Sequence, residues 1–129
     1  EEAIARDRQR IEGTWVLVGL EIDGKAVSEE DARKLSVING ADGTWSLWSE
    51  GEELSRGTST FDPTQEPKAL DFTPTTGDSK GQLFLGIYEL GDDARKMCFA
   101  PTGKPRPTEF NAPAGTGHIC VKFERVKAE

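Results

Sequence analysis

Cys98, Cys120 and the single histidine, His118, are the residue types in this chain best suited to nucleophilic or metal chemistry. Two thiols and one imidazole fall short of the four-ligand set of a structural zinc site, so no metal is expected. A thiol–imidazole pair also needs a third group to orient its base, and the sequence around His118 supplies none. The acids gather as Glu29, Glu30 and Asp31, as Glu50, Glu52 and Glu53, and as Asp92 and Asp93. None of these runs has the spacing of a calcium loop, so they are expected to be a helix start and solvated turns. No catalytic residue and no cofactor is expected.

The remaining candidates are binding groups. Lys104, Arg106, Glu109 and Phe110 fall in a stretch that also holds Pro105 and Pro107. Proline leaves fewer conformations to freeze when a partner binds, so this stretch is the best candidate for recognising an anionic group or another protein. Arg56 and Tyr88, on predicted strands, complete the expected ligand contacts. With Glu109 they would also be the polar set of a small barrel enzyme.

The totals narrow the classes of partner. The chain has 129 residues, 35% of them hydrophobic and 30% charged, which suits one small all-β domain over 1–129 with a wet outer face. Its formal charge is −7. Nucleic acid and anionic lipid both call for clustered Lys and Arg, so neither is an expected partner. No apolar run approaches the roughly 20 residues of a membrane-spanning helix. The chain opens on Glu1 rather than Met, which fits a trimmed exported protein or an excised domain, and a periplasmic or secreted location is the expectation.

Strands and turns must position these groups. Glu1 to Arg10 has acids first and Arg6, Arg8 and Arg10 later, with Ile4 and Ile11 as its apolar stripe and Gly13 beyond, and predicts a short helix. Ser28 followed by Asp31 predicts an N-cap and one or two further turns to Lys34. Eight strands are predicted, beginning with Thr14 to Ile22, Leu35 to Ile38, Thr44 to Trp48 and Leu54 to Phe61. Ala69 to Thr73, Leu83 to Leu90, Lys96 to Ala100 and His118 to Val126 follow. Asp23-Gly24, Asn39-Gly40, Asp42-Gly43, Glu50-Gly51, Asp62-Pro63 and Gly91-Asp92 punctuate them. Eight short strands, mostly joined by hairpins, can close into an up-and-down antiparallel barrel, with a β-sandwich as the rival.

Side-chain alternation gives the barrel an inside. Met97 and Phe99 share one face, as do Ile119, Val121 and Phe123, and these should point inward. Cys98 and Cys120 then point outward on neighbouring strands. If they lie opposite one another their Cβ atoms are about 4.5–5.5 Å apart, so a disulfide and two free buried thiols both remain open. Trp45 and Trp48 are three residues apart, so a regular strand puts one inside and one outside. The long connection from Pro101 to Gly117 is expected to carry a short extended piece at Thr108 to Phe110 that covers one barrel end.

Gly13-Thr14-Trp15 after a short helix, with Arg125 late in the last strand, resembles the signature of the lipocalin (calycin) superfamily. That resemblance implies that Trp15 packs at the closed end of the barrel with Arg125 across its ring. A second resemblance runs through nearly the whole chain, to a family of small lipocalin-like domains abundant in planctomycete bacteria. It is carried by Ile11-Glu12-Gly13-Thr14-Trp15, Asp23-Gly24-Lys25, Phe72-Thr73-Pro74, Gly86-Ile87-Tyr88-Glu89-Leu90 and Met97-Cys98-Phe99-Ala100-Pro101. Its most distinctive piece is Gly103-Lys104-Pro105-Arg106-Pro107-Thr108-Glu109-Phe110. Cys120 departs from that family's pattern, so a disulfide argued for this chain does not extend to the family. The resemblance implies a fold and no agreed activity.

The expected function is a non-enzymatic binding domain. It would hold a small apolar or amphipathic ligand in a cavity of about 300 Å³ or more, or turn its mouth loops against a protein partner. An accessory or inhibitor domain of a secreted protein, and an enzyme with polar groups in the cavity, are the alternatives.

Overall fold

The computed structural model describes residues 2–40, 43–65, 67–77 and 80–126, apart from the side chains of residues 2–5 and 8. Glu1, Asp42 and the side chains of Ile4 and Arg8, named above, lie outside that description. The chain runs α1 (Glu2–Ile11), β1 (Gly13–Ile22), β2 (Lys25–Val27), α2 (Glu29–Ala32) and β3 (Leu35–Asn39). It continues through β4 (Thr44–Ser49), β5 (Glu52–Asp62), β6 (Lys68–Pro74), β7 (Phe84–Leu90), β8 (Ala94–Phe99) and β9 (Ile119–Arg125). From β3 to β9 each strand pairs antiparallel with the next, and β1 bonds to β3 on one edge and β9 on the other. The outcome is a closed eight-stranded up-and-down barrel, consistent with a lipocalin-like fold.

β2 is an addition that the sequence did not announce. Its three residues turn back at Asp23-Gly24 and pair with Leu20 to Ile22, beyond the point where β3 leaves β1. So short a strand is too brief to show alternation. Ser28 does cap α2, its hydroxyl accepting from the Asp31 amide at 3.2 Å.

Two irregularities decide what faces inward. The β1–β9 register slips between Leu17 and Gly19. A strict two-residue period from Trp15 and Leu17 would send Glu21 into the barrel; the bulge turns Leu20 inward instead. The other device is a glycine set opposite an aromatic. Trp45 pairs with Gly57, and Phe99 with Gly86. A Cβ on Gly57 would stand 2.6 Å from the Trp45 ring, and one on Gly86 2.9 Å from Phe99 Cβ. Bare backbone at those two points lets large rings lie flat against the wall.

Helix α1 stoppers one end. Trp15 is 0% exposed, and its Nε1 donates to the Ile11 carbonyl at 2.7 Å. The Arg125 guanidinium stacks 4.3 Å from the Trp15 ring centre and donates to the Glu12 carbonyl at 2.9 Å and to the Arg10 carbonyl. These bonds satisfy carbonyls that the last turn of a helix leaves without partners, and they put positive charge at its negative end. Gly13, at φ +125°, makes room for the guanidinium, since a Cβ there would sit 3.0 Å from Arg125 Nη1. Arg125→Ala therefore removes packing, two caps and a cation–π contact, and is expected to cost about 1–3 kcal/mol. An unchanged melting temperature for that variant would show that the stack contributes nothing.

The connection from Pro101 to Gly117 corrects an expectation: it does not cover a barrel end. It leaves and rejoins the barrel at the end opposite α1 and lies as a strap along the outer wall. Arg106 Nη1 donates to the Leu70 and Gly86 carbonyls at 2.9 and 2.8 Å, and its Nη2 pairs with Asp71 at 2.8 Å. Further along, Cys98 Sγ meets the Asn111 carbonyl at 3.2 Å. Asp23 ties the far end, accepting from the Gly115 and Gly117 amides at 2.8 and 2.9 Å, and those bonds hold its carboxyl below the usual range. The reason is the wall itself. Ile87 and Cys98, paired across β7 and β8 and facing away from the interior, are apolar and need cover.

Candidate binding cavity

The barrel interior is not filled. Above the α1 stopper it keeps a cavity of about 250 Å³. One wall is Leu17, Leu20, Val121 and Phe123 at the β1–β9 seam, continued on β3 and β4 by Leu35, Val37, Trp45 and Leu47; Phe61 and Leu70 on β5 and β6 stand across from the seam. Across the interior the rings interlock, with Trp45 edge-on to Phe72 at 5.8 Å and Phe72 edge-on to Phe99 at 4.8 Å. Phe84 stacks against Phe72 at 5.0 Å. Trp45 is thus the inward tryptophan, while Trp48 faces outward and donates to Ser46 Oγ at 2.8 Å.

Among the described residues, three polar side chains line this space: Asn39, Ser59 and Arg95. Ser59 is occupied locally, its hydroxyl donating to the Gly43 carbonyl at 3.3 Å. Arg95 is the unusual one. It projects inward from β8, is 4% exposed, and lies 4.1 Å from the Phe123 ring centre and 4.8 Å from that of Trp15. Its Nη1 donates to Asn39 Oδ1 at 3.0 Å, while its buried Nε meets no acceptor among the described residues. Burial, and secondarily the like charge of Arg125, push its pKa down to about 9, so it is still a cation at neutral pH.

None of the six residues expected to touch a ligand lines this cavity. Arg56 faces outward on β5 and forks onto Glu53 at 2.8 and 3.0 Å. Tyr88 is buried beside α1, its hydroxyl donating to Asp7 Oδ2 at 2.7 Å. Lys104, Arg106, Glu109 and Phe110 all belong to the strap: Lys104 is exposed, Arg106 grips the wall, Glu109 accepts from Asn111 at 3.3 Å, and Lys96 Nζ sits 5.3 Å from the Phe110 ring centre. Arg56, Tyr88 and Glu109 are therefore not gathered at one site. The cavity residues that sequence reasoning missed are Asn39 and Arg95. A signal for Arg95 existed, because the alternation that turns Met97 and Phe99 inward also turns Arg95 inward once β8 begins at Ala94 rather than Lys96.

The chain matches no known family model, no curated protein and no solved structure. The site must therefore be argued from its own chemistry. Cys98 and Cys120 stand directly opposite across β8 and β9 as free thiols. Burial pushes both above the ordinary thiol range, which makes them weak nucleophiles at neutral pH. The described residues contain no group of three or more metal-ligating side chains.

Proposed function

We propose that the protein is a non-enzymatic binding domain that takes a small apolar or amphipathic ligand into its barrel, in keeping with the planctomycete-type lipocalin-like resemblance. One observation carries this reading: an unfilled interior whose wall is almost wholly aliphatic and aromatic. Water gains little from apolar walls, and an apolar guest gains contact on all sides. Among the described residues that line the space there is no acid, histidine or lysine, so its walls favour contact with an apolar guest over proton transfer. The volume of about 250 Å³ falls short of the roughly 300 Å³ typical of drug-sized sites. The guest is accordingly a single short chain or one small ring.

Trp45 stands in the wall and reports occupancy. Octan-1-ol, which is neutral, is expected to change tryptophan emission saturably in the native protein. Val37→Phe, which fills the same space, should weaken that response at least tenfold. A native protein that responds only linearly, as it would to a change of solvent, would overturn the reading.

A further inference from the structure

We infer that the ligand is a small monocarboxylate, held tail toward the mouth with its acid group against Arg95 and Asn39 at the cavity floor. The inference rests on the binding role proposed above and names the chemistry of its guest.

Arg95 lacks what Lys68, Arg106 and Arg125 possess, a carboxylate partner. Lys68 has Asp7 at 3.0 Å, Arg106 has Asp71 at 2.8 Å, and Arg125 has Asp93 at 3.7 Å. Arg95, the most buried of them, pairs with no carboxylate among the described residues. Among the described residues its hydrogen bond is to a neutral amide, and the charge that acts on it is Arg125, of the same sign. Removing a charge from water without a counter-charge is among the costliest arrangements in a protein interior. The Trp15 and Phe123 rings offset part of that cost but give the Nε proton no acceptor.

A carboxylate supplies both missing items. It brings one negative charge and two acceptor oxygens to a guanidinium whose Nε has no acceptor among the described residues. Asn39 extends the fit, since its Oδ1 is engaged by Arg95 and its amide nitrogen remains a donor on the same wall. A dianion would carry a second charge into a space whose other walls are aliphatic and aromatic, so a single charge is the better match. Taking about 30 Å³ per water-sized group, the cavity admits roughly eight such groups, the scale of a medium-chain acid. The guanidinium lies at the α1 end and the Phe84 and Phe99 rings at the opposite end, which fixes the orientation of the guest.

The structural alternative is that Arg95 serves only to brace Trp15 and Phe123. Octanoate and octan-1-ol separate the two, because they share a chain and differ in charge. Titrated at pH 7 into the native protein and followed by calorimetry and tryptophan emission, octanoate is expected to bind at least tenfold tighter than octan-1-ol. Arg95→Met should abolish that preference while still binding octan-1-ol, and Arg95→Lys should retain part of it. Should Arg95→Met fail to fold, the native protein still decides: octanoate must shift the ¹⁵Nε resonance of Arg95, and octan-1-ol must not. Equal affinity for the two ligands would overturn the carboxylate inference and leave the apolar binding role standing. Failure of both to bind would overturn both.

Discussion

Trp15→Ala is expected to lower the stability of the barrel by about 3–5 kcal/mol, the range for deleting a large buried aromatic. Against a total of about 5–15 kcal/mol for a domain of this kind, that brings the chain close to unfolding. Three losses add. The indole vacates a fully buried site at the end of the core where Leu17, Val121 and Phe123 meet. Its Nε1 no longer caps the Ile11 carbonyl, so the last turn of α1 loses an anchor. Two guanidiniums, Arg125 at 4.3 Å and Arg95 at 4.8 Å, lose the ring on which both rest, and the buried Arg95 has little access to water as compensation. Trp15→Phe separates these terms in part, because it keeps a ring under the cations while removing the donor and some of the indole's volume; about 1 kcal/mol of its cost belongs to the hydrogen bond. The measurement is the urea midpoint at constant m-value. A loss below about 1 kcal/mol for Trp15→Ala would mean that the stopper does not hold the barrel closed.

The same seam shows why the fold was legible in the sequence and the cavity floor was not. Hairpin order is written locally: Asn39-Gly40, Glu50-Gly51 and Gly91-Asp92 each lie where one strand gives way to the next. The inward faces of β8 and β9 follow from a simple period of two, as Met97, Phe99, Val121 and Phe123 show. That period fails wherever the backbone gains a residue. The bulge at Leu17 to Gly19 exchanges Glu21 for Leu20 inside the barrel, and its one mark in the sequence is Gly19 within the strand. The strap illustrates a different limit. Arg106 looks like a free anion-binding group in a stiff loop, yet its hydrogen-bond partners are backbone carbonyls of Leu70 and Gly86, which no side-chain pattern can reveal. Arg95 was hidden by a boundary: assigned to a turn beside Asp92 and Asp93 it is an ordinary surface cation, and assigned to β8 it is a buried one.

Asp7 and Tyr88, 81 positions apart, are still less visible in sequence, and their separation predicts a second large effect. Asp7 is 3% exposed and Tyr88 2% exposed. Burial first, and then the hydrogen bond and charge of Asp7, raise the Tyr88 hydroxyl well above its ordinary value. Asp7→Ala deletes a charge-assisted hydrogen bond and leaves a buried hydroxyl without its acceptor, at a cost of about 2–3 kcal/mol. The Lys68 ammonium, about a third exposed, turns to water and adds little. Tyr88→Phe deletes the same bond from the other side, so the double variant should cost at least about 1 kcal/mol less than the two single losses combined. The sign of the pH effect follows from proton counting. Above the ordinary tyrosine value of 10.0 the unfolded chain loses a proton that the folded chain keeps, so stability falls as pH rises past that point. The raised thiols of Cys98 and Cys120 act in the same direction, so Tyr88→Phe should weaken the alkaline slope without removing it. Tyr88 is the only tyrosine in the chain, and tyrosinate absorbance therefore reports this hydroxyl alone. In the native protein it is expected to appear only together with unfolding, and in Asp7→Ala at lower pH. Tyrosinate rising near pH 10 while the β-sheet circular dichroism stays intact would show that α1 does not seal this end of the barrel.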